Sequence, residues 1–448
     1  RETPADGVIT GIGRIDGRDV LCAAYDFTVL AGSIGMVGET KVARLRELAL
    51  RERRPIVWLI DSAGARIQEA ASSIFAGTGH LFKEQVVLSG VVPQVAALVG
   101  PGAAGTAYIP GLADVVFMVK GIGSMALGGP PLVKAAIGED VTEEDLGGSK
   151  VHCYKSGVGH VEVPDDATCM AKIREYLSFF PSHCKEKPPR AACSDPVDRR
   201  EEGLLDIVPD QSRKPFDMMK VIEKVVDDGK MFPIQPFWAR SIVTVLARIG
   251  GRPVGIVGSQ PAYLGGVLDV DSADKAAHFV NLCDSFNVPL VFLLDVPGFM
   301  IGSKVEAQGI IRHGAKMLYQ VASATVPKLT VVVRKAYGAG YYVMNGRAYE
   351  PDLIVGWPTG EVSLMGAEGA VNIIFRKQID AAEDKEATRK ALVEQYRAMI
   401  DPYIPAHWAM VDDIIDPRDT RYLLHRGLEL TVDKTVERPW RKQGVVPV

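Results

Sequence analysis

An internal duplication constrains this chain more than any other feature. RRPIVWLIDSAGARIQ (53–68) is an apolar strand ending on Asp61 and a turn of small residues, and NVPLVFLLDVPGFMIG (287–302) repeats the design and ends on Asp295. Asp61 and Asp295 lie 234 positions apart (295 − 61), and Pro55/Pro289, Pro93/Pro327 and Lys41/Lys275 share that separation. At the same offset GPGAAGTAYIP (100–110) faces RKAYGAGYYVM (334–344), each a small-residue turn after an apolar strand. ADVVFMVKGIGSMALGGP and PDLIVGWPTGEVSLMGAE also correspond, after a shift of about four residues. The chain is two copies of one α/β unit.

Each copy reads as a hairpin (GIGRIDGRDVLCAAY, VLARIGGRPVGIVG), a helix, a buried strand, a helix, a second buried strand, a glycine turn and a helix. Near-continuous apolar strands separated by helical periods predict parallel strands covered on both faces. A length of 448 residues exceeds what one core supports. The segment from Pro181 to Phe216, rich in Pro, Lys, Arg and Asp, reads as a connection. Domains are therefore expected at 1–215 and 216–448.

The net charge of −4 argues against a nucleic-acid surface, which needs clustered positive charge. The six cysteines are scattered with no CxxC pair, which favours neither a zinc ribbon nor a disulfide framework and fits a reducing compartment. The start at Arg1, without methionine, points to a processed or truncated N-terminus. Residues 85–113 hold no Asp, Glu, Lys or Arg, but Pro93, Pro101 and Pro110 would strip a spanning helix of hydrogen bonds where no water replaces them. A buried strand and a turn are expected there, and no membrane span.

The stretch 100–110 offers no acid, base or nucleophile except a tyrosine. What it offers is backbone. A Gly/Ala turn between a buried strand and a helix exposes N–H groups that have no intrahelical partner. Such groups form an oxyanion hole, each donor stabilising a transition state by about 2.7–4 kcal/mol. Close helix–strand packing is the competing explanation of the small residues. No GxxxxGK[ST] occurs, and GIGRIDG (11–17) has the wrong glycine spacing and leads into a strand, so phosphate-loop and dinucleotide readings fall away.

DFTVLAGSIG (26–35), DSAGARIQEA (61–70), GPGAAGTAYIP, GEDVTEEDLGGSKVH (138–152), DVPGFMIG (295–302), GIIRHGAKMLY (309–319), RKAYGAGYYVM and WPTGEVSLMGAEGAV (357–371) together resemble one family. It is the carboxyltransferase (beta) subunit of biotin-dependent acyl-CoA carboxylases, the propionyl-CoA and methylcrotonyl-CoA type. The resemblance implies two tandem crotonase-like domains of ββα-superhelix architecture, the first for acyl-CoA and the second for biotin. It implies transfer of CO2 from carboxybiotin, carried on a partner subunit, to the α-carbon of a short acyl-CoA such as propionyl-CoA. By the same resemblance Ala104 and Gly105 hold the thioester oxygen, and Ala339 and Gly340 hold the biotin oxygen. Gly64, Ala65, Arg66, Gly102 and Tyr342 fall on substrate-binding positions, and Tyr337 and Gly338 join Ala339 and Gly340 on the biotin side. A biotin carboxylase or biotin carboxyl carrier partner, a homo-hexamer completing its sites across subunits, no metal, and a cytoplasmic (or mitochondrial-matrix) setting follow as expectations.

This sequence departs from the family at several of these points. Gly102 and Ala104 stand where the first turn usually reads Cys and Gly, and Ala63 replaces a glycine of the usual DSGGAR, so an added methyl narrows the site. Tyr342 stands where propionyl-type members often have an acidic residue.

Among the remaining candidates, Asp61 and Asp295 are expected to cap the turns that follow their strands. Arg66 and Lys335 are read as CoA-phosphate contacts or as ion-pair groups. His152, His160 and His313 form no metal pattern and are expected to be ordinary polar positions. Tyr337, Tyr341 and Tyr342 are candidates to shape the biotin and acyl pockets. Three other functions compete: the related subunit of a membrane-coupled decarboxylase, a noncatalytic CoA- or biotin-binding scaffold, and a crotonase-type hydratase or hydrolase. No duplicated carboxylate follows the turns, which counts against the last of these.

Overall fold

The computed structural model describes residues 5–71 and 73–448. The chain divides into two compact units. One runs up to Pro189 and includes Ile234–Trp238 and Ser285–Asn287; the other takes Arg190–Pro233, Ala239–Asp284 and Val288–Val448. The division at 189/190 falls inside the polar segment 181–216.

The first unit is built on a sheet in the order β1 (Val8–Ile15), β2 (Arg18–Tyr25), β3 (Ile56–Ser62), β4 (Gln94–Ala103), β5 (Val115–Val119) and β7 (Val161–Val163), with β6 (Ser124–Ala126) also paired to β4. The β1–β2 pair is an antiparallel hairpin, and the strands after it run parallel. Its tight turn is Asp16–Gly17, both at positive φ (50° and 81°), the backbone that matches the twist of the flanking strands. The predicted buried strands are buried: Trp58, Ile60, Leu98 and Val116 sit in one apolar core with Leu21 and Leu45.

The second unit repeats this plan with β8 (Met231–Ile234), β9 (Ile242–Ile249), β10 (Arg252–Ser259), β11 (Leu290–Val296), β12 (Lys328–Tyr337), β13 (Leu353–Gly356), β14 (Glu361–Ser363) and β15 (Asp413–Ile414). Its sheet order is β15, β13, β12, β11, β10, β9, β8, with β14 paired to β12. Val254, Val291, Val331, Trp357 and Leu424 share its core.

Register carries the duplication into three dimensions. Leu21 pairs with Ile56 and Ile56 with Gln94; 234 residues on (255 − 21), Gly255 pairs with Leu290 and Leu290 with Lys328. The prolines serve as strand openers whose carbonyls enter the ladder while their missing N–H goes unmissed. Pro93 O accepts from Ile56 N at 3.0 Å and Pro327 O from Leu290 N at 2.8 Å.

The lysine anchors have a shared task too. Lys275, on helix α4 (Val270–Ser285), donates to Ile242 O at 2.9 Å; Lys41, on helix α1 (Met36–Glu52), donates to Val8 O and, at 2.9 Å, to Ala5 O. Lys275 is buried, and burial pushes its amine down to about 7, whereas Lys41 is half-buried. Replacement by alanine is expected to separate the copies: Lys275→Ala costs about 2–4 kcal/mol in urea denaturation and Lys41→Ala about 1 kcal/mol, because only the first leaves its carbonyls without a donor in a dry interior.

Candidate functional site

Each copy ends its second buried strand in an abrupt change of direction. β4 finishes at Ala103, and helix α3 (Gly105–Gly111) begins two residues later, with Ala104 between them at φ 53°, ψ −122°. β12 finishes at Tyr337, and helix α6 (Gly338–Val343) begins at once, with Gly338 at φ 54°. The two residues of positive φ are again 234 positions apart (338 − 104). A chain that leaves a strand this way presents the N–H groups of the following first turn outward, because they have no carbonyl behind them.

At the first turn the expectation for Ala104 as a donor to the thioester oxygen is corrected: its N–H donates to Ala126 O of β6 at 2.9 Å, which ties the turn to the sheet and leaves Gly105 as the donor of that pair. Gly105 is half-buried, and the open side of its backbone faces no nearer atom than the Phe82 ring edge, 3.6 Å from where a methyl would stand. Gly64, at φ 97°, lies against this turn: a methyl there would come within 2.7 Å of Ala103 O. Ala65 is exposed beside it and bridges to Ile34. Gly102 faces the other way, toward Leu98 and Ile60 of the core.

Arg66 is the residue whose setting differs most from a ligand contact. Its Nε donates to Ser33 Oγ at 3.1 Å, Nη1 to Asp6 at 3.3 Å and Glu69 at 2.7 Å, and Nη2 to Ser33 O at 2.9 Å and to Asp6. A guanidinium has five N–H groups, so all are committed. The Asp6 hydrogen bond, ahead of that from Glu69, holds the Arg66 pKa above its usual value.

At the second turn, Ala339 is exposed, Gly338 half-buried and Gly340 buried. A methyl on Gly340 would meet Val296 Cγ2 at 2.8 Å and Gly298 Cα at 3.0 Å, so the turn packs directly on the loop after β11. The Tyr337 hydroxyl donates to Glu361 on β14, and burial, with that carboxylate, raises the phenol pKa well above its usual value. Tyr341 is committed to Arg347, its hydroxyl accepting the backbone N–H at 2.9 Å. Tyr342 is 47% exposed and stacks on Tyr349 with ring centroids 6.3 Å apart, which leaves its outer edge free for a ligand.

The strand-end aspartates correct one expectation. Asp295 does not cap the turn after β11; it reaches sideways to β12, accepting from Arg334 Nη2 at 2.7 Å and from Lys335 N at 3.0 Å. The reason is proximity of a stronger donor, since a buried guanidinium outcompetes a turn amide for a carboxylate. Arg334 also donates to the carbonyls of Gln211 at 3.1 Å and Lys214 at 2.9 Å, fastening the connecting segment. Lys335 Nζ lies 3.7 Å from Asp295, and burial lowers its pKa. In the first copy Gly100 occupies the place of Arg334, and a methyl there would come within 2.0 Å of Asp61 Oδ1. Burial first, then the like charges of Asp26 and Asp166, raise the Asp61 pKa.

His152 Nε2 lies 2.8 Å from Met125 O, His160 Nδ1 accepts from Val116 N at 3.1 Å, and His313 Nδ1 lies 2.9 Å from the Asp274 carboxylate. Among the described residues no group of three His, Cys, Asp or Glu side chains is placed to hold a metal ion, and no helix is long and apolar enough to cross a membrane.

The family model for the carboxyl transferase domain matches residues 1–446. The chain belongs to the carboxyl transferase family. It is 43% identical over 446 residues to the propionyl-CoA carboxylase carboxyltransferase subunit of Haloferax mediterranei, covering 99% of this chain and 86% of that one. It is equally 43% identical over 448 residues to the methylmalonyl-CoA decarboxylase alpha subunit of Veillonella parvula, covering 100% and 86%. The crystal structure of the transcarboxylase 12S hexamer core with methylmalonyl-CoA bound superposes with a TM-score of 0.96 at 46% identity, covering 100% of this chain and 86% of that one. The fold is thus the crotonase-like carboxyltransferase fold, and the chain is an enzyme of the biotin-dependent acyl-CoA carboxylase group.

Arg334→Met is expected to cost about 3–5 kcal/mol in urea denaturation, the penalty for leaving the buried Asp295 carboxylate unpaired. Pairing it with Asp295→Leu is expected to recover most of that loss, because a buried ion pair contributes little net stability over apolar groups of similar size.

Proposed function

We propose that this chain transfers a carboxyl group between biotin and the α-carbon of a short acyl-CoA, with propionyl-CoA and methylmalonyl-CoA as its substrate pair. The observation that carries the reading is the pair of strand–helix turns at Ala104–Gly105 and Gly338–Gly340, built alike and set at one offset. The reaction generates two oxyanions, an enolate from the thioester and a ureido oxygen. Two sets of backbone donors are what such chemistry needs.

In the first cradle Gly105 N–H stabilises the thioester oxygen as the α-proton leaves, and Ala104 sets the direction of that N–H. Gly64 and Ala65 form the facing wall on the substrate side. Arg66, with its donors committed, holds this wall in place from behind, and Gly102 keeps β4 close to the core. In the second cradle the N–H groups of Ala339 and Gly340 receive the ureido oxygen, with Tyr337 and Gly338 at its base and Tyr342 on the acyl side. The second turn fits that group: Gly338 leaves the backbone uncovered where a methyl would crowd Leu364 O at 3.0 Å, and Ala339 is exposed. Biotin, when bound, supplies the carbon dioxide and takes the α-proton, which is why the chain needs no acid–base pair of its own.

A biotin carboxylase or carboxyl carrier subunit delivers the biotin, and copies of this chain assemble into a hexamer that faces each first cradle with another chain's second. The hexameric transcarboxylase core with methylmalonyl-CoA bound supports the hexameric assembly and the CoA ester.

Purified chain given malonyl-, methylmalonyl- or methylglutaconyl-CoA with biocytin as acceptor is expected to decarboxylate methylmalonyl-CoA, read as propionyl-CoA by mass spectrometry. Gly105→Pro removes one N–H at a first helical position, where proline is tolerated. It is expected to lower kcat by about 10²–10³-fold with little change in Tm. Turnover independent of biocytin, or full activity of that variant, would sink the proposal.

Changing Tyr342 to Asp or Ile is expected to shift the ratio of kcat/KM values among these CoA esters while Tm stays put, since its ring is half exposed. An unchanged ratio removes Tyr342 as a selector.

A further inference from the structure

Ala104 holds a backbone that its side chain disfavours. Ala31, Arg53, Asp228 and Glu350 also have positive φ, but their ψ values of 35°, 58°, 19° and 52° place them in the ordinary left-handed region. Ala104 combines φ 53° with ψ −122°. That is the first central position of a type II′ turn, which belongs to glycine because a Cβ crowds the neighbouring peptide. Its counterpart in the second copy, Gly338 at φ 54°, is a glycine. The second copy meets the positive φ at this place with a glycine, whereas the methyl at 104 adds strain to the first.

The position of this methyl is informative. A Cβ at Gly64 would lie 3.2 Å from the Ala104 Cβ, so the methyl stands over the turn that follows β3. It lies at the carboxyl ends of β3 and β4, between the two turns that follow these strands. Ala104 is half-buried and so stays partly accessible to solvent.

We infer that Ala104 is a size selector for the acyl group. Its methyl takes up volume at the floor of the first cradle and disfavours thioesters whose α-carbon carries more than a methyl group. The inference rests on the assignment of the thioester to this cradle. Strain is retained here because the methyl that causes it narrows the substrate range, and strained backbone of this kind persists where function requires it.

The test compares methylmalonyl-CoA with ethylmalonyl-CoA in the biocytin-dependent decarboxylation. Ala104→Gly is expected to raise the ethylmalonyl/methylmalonyl ratio of kcat/KM by about tenfold, the lower end of what one carbon discriminates in an apolar site. Its Tm is expected to rise by a few degrees as the strain is released. Ala104→Ser, with an added oxygen, moves the ratio the opposite way. An unchanged ratio in both variants, whatever the Tm, makes Ala104 a structural residue and overturns the inference, while loss of activity in Gly105→Pro still upholds the cradle. Full activity of Gly105→Pro overturns both.

Discussion

Each half of this molecule depends on a single change of direction, from extended strand to helix within one residue. At the ends of β4 and β12 both copies make that change through a positive φ, at Ala104 and Gly338. The remainder of each unit holds these turns steady. β6 pairs with β4 at Pro101–Ala103 and β14 pairs with β12 at Lys335–Tyr337, each bracing the last residues before the bend. In the proposed reaction, donors held this way would need no reorganisation as charge develops.

The two copies have diverged in how they treat the charge beside the bend. Asp295 is fully buried and neutralised by Arg334, whose remaining N–H groups fasten the connecting segment. Asp61 faces Gly100 instead, and burial, then the like charges of Asp26 and Asp166, raise its pKa. One ancestral position thus became a structural rivet in the second unit and a weakly acidic carboxyl in the first.

The strands, the hairpins and the two turns were legible in the sequence because apolar runs, strand-opening prolines and glycine turns are local signals. The wiring around the turns was not. Arg66 finds Asp6 across 60 residues, and Asp295 finds Arg334 across 39. Such pairings follow from strand register, which appears only after the sheet has formed. The Ala104 N–H bond to Ala126 O likewise belongs to β6, a three-residue strand too short for any periodicity to reveal. Ala104 itself looks ordinary in sequence, and only its ψ of −122° sets it apart.

The constant separation of the copies has a limit, and the limit falls at the bends. From the hairpins through β4 and β12 paired residues keep an offset of 234, but Val115 corresponds to Leu353 (353 − 115 = 238) and Ser124 to Glu361 (361 − 124 = 237). Within the strands upstream of the bend, an inserted residue would slip a parallel register and turn core side chains outward. Downstream, it only lengthens a loop. The stretch from hairpin to bend therefore acts as a ruler of fixed length, and drift between the copies has been admitted only past its far end.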